Sequence, residues 1–415
     1  MKIKSIKAGV HRLSVTVPLL KAPINRNTVF CEVETDDGYV GHGITGGAYL
    51  PFAIVTVIEK EFLPIVAGMD PRDTEAIHEK VWWKLNQRSM TGVVSSALSA
   101  IDIACWDIHG KLTGRTVAQL LGGARDWAPT YCTFGFHEYD RDQLVEAARL
   151  QIKNGHRRLK MVVGVHKDGW QEDARRVRAV RDAVGPDVEL MMDANYKFNP
   201  VDARQLCRAI EDCRLTWFEE PVYQNDTRAM ADLRSHTSIP ISAGQNEGHR
   251  WRLRELVLHQ AVDILQPNVC YCGGYTEAQK AGHLAQAFNL PIANGGGWPL
   301  HNLHIMAGLM NGWRVEFHLD MQAVGELLFV NPPRPENKFL RNTSVIEVGP
   351  VFTIEPGIYV IDGLLAPLQA DDRRDLLDWS AIADLRQFGG IRIEDNVVVE
   401  ATGIRNLTRE AFASA

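Results

Sequence analysis

Apolar and polar positions change rhythm near residue 128 of this 415-residue chain. Beyond that point short apolar runs recur at "TYCTFGF", "RRLKMVV", "ELMMDAN", "LTWFEEP", "IPISAGQ", "VDILQPN", "LPIANGG" and "WRVEFHL". Between most of them lie amphipathic stretches such as "QEDARRVRAVRDAV" and "PVDARQLCRAIEDC", with apolar residues at helical spacing. Eight runs separated by helices are the pattern of a parallel β/α barrel. Three of the runs end in Asp193, Glu219 and Gln245, each 26 positions after the last, about one βα unit. Barrel chemistry sits at the C-terminal ends of the strands, so these three side chains are expected at one mouth.

The first 125 residues lack that rhythm. "NTVFCEVETDDGYVGHG" alternates on either side of "DDG", which predicts a hairpin. "SSALSAIDIACWDIHGKLTG" has helical spacing and a good helix stop at its closing glycine. The expected organisation is an α+β domain over 1–125, a barrel over 126–340 and a separate tail over 347–415. Composition fits a soluble globular protein, at 45% hydrophobic and 23% charged. A net charge of −6 without any basic block argues against nucleic acid as partner. No apolar run is long enough to span a bilayer, and "MKIKSIKAGVHRLSV" reads as a first strand rather than a signal peptide. Seven scattered cysteines, an odd number, point to core positions in a reducing, cytoplasmic setting.

Two carboxylates at consecutive strand ends, Asp193 and Glu219, suit a hard cation such as magnesium; they equally suit helix caps or salt-bridge partners. Gln245 brings an amide oxygen without charge, which weakens such a site. Glu247 stands two residues on as a poorer substitute. Arg158 and Lys160 alternate onto one face of the second strand. A buried lysine beside a metal and a second cation has a lowered pKa, as a general base requires. The competing reading is that both hold carboxylates at a rim.

"SAIDIACWDIHGKLTGRTVAQLLGG", "MMDAN", "WFEEP", "QPNVCYCGG" and "WRVEFHL" together resemble the enolase superfamily, most closely its mandelate racemase type, over about residues 1–340. The resemblance implies a (β/α)7β TIM-like barrel under an N-terminal α+β capping domain. It implies Mg2+ and removal of a proton α to a carboxylate through an enediolate. It places Asp193, Glu219 and Gln245 as metal ligands, Lys160 as base with Arg158 beside it, and Glu316 on the substrate carboxylate. Asn195 falls beside the first ligand. Asn268 stands where the family's His-Asp dyad has its aspartate and, with Asn195, is a candidate for binding substrate; "NGGGW" stands where the dyad has its histidine. His301 and His304, further along, read as packing or capping residues. Arg26, Asn27 and Tyr49 fall on capping-domain loops that set specificity. Racemisation needs a base on each face of the α-carbon, so loss of water from an acid sugar is the expected reaction. The alternatives are a racemase or epimerase, and a pseudoenzyme that binds carboxylates without turnover. A homo-oligomer acting on a small-molecule carboxylate is expected.

The foreign-looking, strand-rich tail resembles the C-terminal end of Xaa-Pro dipeptidases. "TIEPG" and "GIRIED" carry Glu355 and Glu394, which that resemblance makes metal-binding glutamates. Two glutamates alone cannot hold a dinuclear centre, so peptidase activity is not expected. "VFTIE" and "IRIEDNVVV" are predicted strands that need a sheet.

Overall fold

The computed structural model describes residues 1–46, 49–86 and 91–329, with position 332 and six short strands further on. The chain forms two compact units, one of residues 1–326 with 331–346, the other of 327–330 with 347–415.

The first unit opens with three antiparallel strands, β1 (Ile3–Val15), β2 (Ile24–Thr35) and β3 (Val40–Gly46), in the order β1-β2-β3. The predicted hairpin joins β2 to β3 through a turn with Gly38 at φ +91°. Helices α1 (Thr74–Leu85) and α2 (Val93–Thr113) complete this cap. The left-handed Gly114 ends α2, donating its N–H to Gly110 O as a glycine stop should. Ile6, Val29, Val33, Ile58, Phe62 and Ile101 are among the residues of its core. Burial of such side chains contributes roughly 1.5–3 kcal/mol each relative to exposure.

Ser95, Ser96, Ser99 and Asp102 of α2 are buried as well, and this helix also fastens the cap to the barrel. Ser99 Oγ accepts from Gly273 N at 2.8 Å and Gly274 N at 3.1 Å. Asp102 accepts from Thr276 Oγ1 at 2.5 Å and lies 2.9 Å from His78 Nε2. Gly274, at φ +83°, is needed here, since a Cβ would stand 2.1 Å from Asp102 Oδ2.

Eight parallel strands follow: β4 (Trp127–Gly135), β5 (Arg158–Val162), β6 (Glu189–Asp193), β7 (Phe218–Glu219), β8 (Ile241–Ala243), β9 (Ile264–Leu265), β10 (Ile292–Ala293) and β11 (Gly312–His318). Each pairs with the next and β11 pairs with β4, so the barrel closes. All eight predicted runs are strands of it. Tyr131, Met191, Trp217, Ile264 and Ala293 pack together within this part of the unit, with Trp313 against them. The turn after β6 leads to helix α3 (Pro200–Ala209), capped by Asn199, and the turn after β7 to α4 (Thr227–Ser235), capped by Asp226. Asp193 and Glu219 are therefore not the caps. One further strand, β12 (Phe339–Arg341), adds antiparallel to the start of β4.

In the second unit β13 (Val351–Ile354), β14 (Gly357–Tyr359), β15 (Gly390–Arg392), β16 (Asp395–Glu400) and β17 (Gly403–Asn406) pair among themselves. β13-β16-β17 form one antiparallel sheet and β14-β15 another. The tail strands thus find partners inside the tail, and "IRIEDNVVV" contributes to two sheets rather than one. Glu355 and Glu394 lie outside the described residues.

All seven cysteines are free and buried, as expected of core positions. Among the described residues no helix is long and apolar enough to cross a membrane.

Candidate active site

Ladder register brings the predicted residues together. Asp193 is paired with Glu219 across β6 and β7, and Val162 on β5 is level with Asp193. Lys160 rises from two positions lower on β5, over the ring of Tyr131, its Nζ 5.3 Å from the ring centroid. The ammonium reaches Glu219 Oε1 at 2.7 Å, Glu316 Oε1 at 2.8 Å and Asp193 Oδ2 at 3.3 Å. Lys160 is 1% exposed and Glu219 wholly buried.

Burial alone would lower the Lys160 pKa, but Glu219, Glu316 and Asp193 together raise it well above the ordinary lysine value. The expected lowering relied on a metal and a cationic neighbour together, and Arg158 is not that neighbour. Arg158 begins β5 at the opposite end of the barrel and pairs there with Glu189 at 3.2 Å. Two-residue alternation placed it on the right face at the wrong depth, so Arg158 is not a catalytic residue.

Three carboxylates and one ammonium leave a buried cluster with an excess of two negative charges. Burial raises the Glu219 pKa well above its usual value, and Asp193 and Glu316 add to this against the pull of Lys160. Such an excess is relieved by protons or by a divalent cation. Among the described residues no three His, Cys, Asp or Glu side chains are arranged to hold a metal by themselves. Gln245 is the candidate for a third donor.

The geometry of Gln245 suits that role. Its Nε2 donates to Glu220 Oε2 at 2.9 Å, which fixes which end of the amide is which. A Cβ built on Gly295 would lie 2.8 Å from Glu219 Oε1 and 2.9 Å from Gln245 Oε1, so both oxygens face one small space kept open by glycine. "NGGGW", the segment that lacks the expected histidine, forms this opening. Asp193 Oδ1 accepts from Asn195 N at 2.8 Å, and Glu219 Oε2 accepts from Gln266 Nε2 at 2.9 Å and Trp217 Nε1 at 3.0 Å. Asp193, Glu219 and Gln245 thus offer hard oxygen donors to a magnesium-sized cation. Glu247 is committed elsewhere, to Arg252 at 3.0 Å and Asn225 at 3.2 Å.

Sequence reasoning missed Glu220, which organises this corner. It also accepts from Tyr196 Oη at 2.7 Å and from Asn225 and Asn246, at 3.3 Å each. Burial first, then Asp193, raises its pKa to about 7. The doubled acid of "WFEEP" was its only signal.

On the other side of the mouth Glu316 accepts from Gly297 N at 2.6 Å and from Thr133 Oγ1. His318, two residues on, was also missed. Its Nδ1 meets Asp320 Oδ1, and Asp320 Oδ2 accepts from Arg26 Nε at 2.6 Å. Burial would lower the His318 pKa, but Asp320, with help from Glu316, raises it.

The remaining expectations divide. Arg26 is a strut from the cap to Asp320 rather than a group reaching directly for ligand. Asn268 is corrected: it is buried, its Nδ2 donates to Gly295 O at 2.7 Å, and its Oδ1 accepts from Cys270 N and Asn302 Nδ2. The amide shapes the loop and is spent. Asn195 is exposed beside Asp193, and Asn27 lies half-buried on β2 opposite Arg12. Tyr49, 91% exposed, borders a cavity of about 200 Å3 with Leu50, Ile54, Asn246 and Tyr271. His304 Nδ1 accepts from Ala118 N at 3.2 Å, as a capping or packing group would, and the His301 carbonyl accepts from Tyr275 Oη at 2.8 Å.

Residues 14–122 match the mandelate racemase/muconate lactonizing enzyme N-terminal domain, and residues 143–348 match the enolase C-terminal domain-like family. A D-galactarolactone cycloisomerase of Agrobacterium fabrum is 35% identical over 299 residues, 70% of this chain and 78% of its own. The chain belongs to the mandelate racemase/muconate lactonizing enzyme family of the enolase superfamily. An arabinonate dehydratase of Saccharolobus solfataricus, another relative, is 29% identical over 337 residues, covering 80% of this chain and 89% of its own. The crystal structure of an L-talarate/galactarate dehydratase mutant liganded with Mg and L-glucarate superimposes with a TM-score of 0.75 at 26% identity, over 84% of this chain and 89% of that one. Relatives in the family are thus acid-sugar dehydratases, cycloisomerases and racemases, and magnesium is a ligand of solved family structures.

Proposed function

We propose that this protein is a magnesium-assisted lyase that removes the proton α to the carboxylate of an acid sugar and expels water from the neighbouring carbon. The observation that carries the reading is the buried excess of negative charge around Lys160, facing the space shared by Glu219 Oε1 and Gln245 Oε1. Magnesium held by Asp193, Glu219 and Gln245 supplies positive charge for the substrate carboxylate and the enediolate. Glu316 sits on the far side of Lys160, placed to meet the substrate. Lys160 is the amine positioned to take the α-proton. It must first give up the proton that the three carboxylates hold on it, and a cation that meets their charge removes that hold.

A second reading, cycloisomerisation of an acid-sugar lactone, is favoured by the 35% identity to a cycloisomerase. It shares the α-proton step and differs in which oxygen leaves. A racemase or epimerase fits less well, because Asn268 and the glycines of "NGGGW" stand where the family's His-Asp dyad supplies the second base. The substrate class is a small carboxylate, and a homo-oligomer is part of the proposal. Xaa-Pro dipeptidase activity is not part of the proposal, since two glutamates alone cannot hold a dinuclear centre.

A screen of acid sugars with and without magnesium, scored for 2-keto-3-deoxy products, tests the reading. Metal-dependent product is expected. A folded protein silent across dehydratase and lactone substrates would leave a carboxylate-binding pseudoenzyme.

A further inference from the structure

Elimination from an acid sugar needs more than a base. The leaving oxygen departs poorly as hydroxide and must receive a proton as its bond to carbon breaks. The mouth holds one arrangement outside the metal-and-lysine cluster that meets this need. His318 ends β11, level with Thr133 on β4, which is itself level with Lys160 on β5. Glu316 points into the mouth, and alternation along the strand sends His318 to the same face. The ring lies edge-on to Phe136 at 5.5 Å, just past the end of β4.

Asp320 Oδ1 makes an ion-pair contact with Nδ1, which leaves Nε2 as the nitrogen turned away from it. Asp320 is itself wholly buried and is held on its other oxygen by Arg26 from the cap. A histidine oriented by a buried carboxylate, which is oriented in turn by a third group, is how proton-transferring imidazoles are usually fixed. The His318 side chain keeps 24% exposure while its anchor keeps 1%. Glu316, Lys160, Asp320 and Arg26 are the charged groups around it.

We propose that His318, oriented by Asp320 and Arg26, is the acid that protonates the oxygen leaving from the β-carbon. The inference rests on the lyase reading above. In the step, the electron pair left by the α-proton forms the new C=C bond, and the C–O pair leaves with the oxygen. His318 Nε2 delivers its proton there, so water departs and the imidazole is left neutral. The enol product then tautomerises to the 2-keto-3-deoxy acid. Lys160 returns its acquired proton to solvent and His318 regains one, which closes the balance. Arg26 and Asp320 are positioning residues.

The test uses the full chain with magnesium and an acid sugar that the wild type dehydrates, comparing wild type with His318→Asn and Asp320→Asn. Three signals are followed: keto product, exchange of the substrate α-proton in D2O by NMR, and fluoride release from the 3-deoxy-3-fluoro analogue, whose leaving group depends far less on an acid. His318→Asn is expected to lose about 100-fold in product formation. It should keep α-proton exchange and fluoride release within about threefold, because the base is untouched. Asp320→Asn should lose about tenfold in product with exchange kept, and serves if the first variant fails to fold. Product formation within threefold of wild type in His318→Asn would overturn the proposal, as would equal losses in all three signals. A wild type that forms no product and exchanges no proton with any acid sugar instead brings down the lyase reading itself, and this inference with it.

Discussion

The two ends of the barrel carry opposite charge balances, and a single strand links them. At the bottom, Arg158 on β5 and Arg314 on β11 share Glu189, an excess of positive charge at a partly exposed site. At the mouth, two residues further along β5, Lys160 is outnumbered by Asp193, Glu219 and Glu316 in a buried one. Glu189, with 36% of its side chain exposed, lets water reach the first imbalance and screen it in part. The second is expensive unless something is drawn in to meet it. An imbalance that a fold retains at a barrel mouth is a demand for a ligand, and in the proposed function that ligand is a cation.

Replacing Lys160 separates the two ends most sharply. Lys160→Met should reduce turnover by roughly a thousandfold, since the proposed general base is lost. Arg158→Met, matched in size and two residues away, should change turnover by less than about threefold and stability by less than about 1 kcal/mol. Steady-state kinetics and urea melts on the pair would show it, and similar kinetic losses in both would erase the distinction.

Gln245→Glu sharpens the account of the mouth. A third carboxylate should tighten magnesium by about tenfold or more, because ligand charge count sets affinity. Without metal the same change places a carboxylate against Glu220, where the amide donated at 2.9 Å. It should therefore cost on the order of 1–3 kcal/mol in EDTA. Calorimetric titration and thermal melts with and without magnesium would detect both effects, and an unchanged affinity would contradict the ligand role.

A pH series separates the fold from its site. Burial presses His249 and His304 down to about 4 each. Both are neutral in the fold, while the unfolded chain takes up protons below about 6.5. Their stabilisation is present above that value and is lost as pH falls from about 6.5 toward 4. Urea melts should show falling stability between pH 7 and 5, on the order of 1–3 kcal/mol, with a shallower fall in His304→Gln. An identical slope in that variant would remove His304 from the explanation.

How much of this could be read from the chain depended on what each pattern encodes. Eight apolar runs gave the barrel because alternation of strand and helix is written at long range, and the 26-residue spacing gave the mouth because it repeats the βα unit. Depth was not written. Arg158 and Lys160 share a face, but only the ladder, with Arg158 opposite Glu189 and Val162 opposite Asp193, tells bottom from mouth. That Glu219, Glu316 and Asp193 all close on the Lys160 ammonium was not written in the spacing either. Asn268 looked available because its partners, Gly295, Cys270 and Asn302, lie on loops whose meeting no local pattern announces. Glu220 and His318 stood in plain view, each next to or two residues from a residue already chosen, but their importance comes from partners at Gln245 and Arg26 far along the chain.

Magnesium binding, measured by calorimetry on wild type and Glu219→Gln with Arg158→Met as control, tests the central claim without requiring a substrate. One magnesium per chain in wild type and Arg158→Met, with binding lost in Glu219→Gln, is the predicted result. No binding in wild type, or binding indifferent to Glu219, would contradict the claim that the negative excess at the mouth is a divalent-cation site.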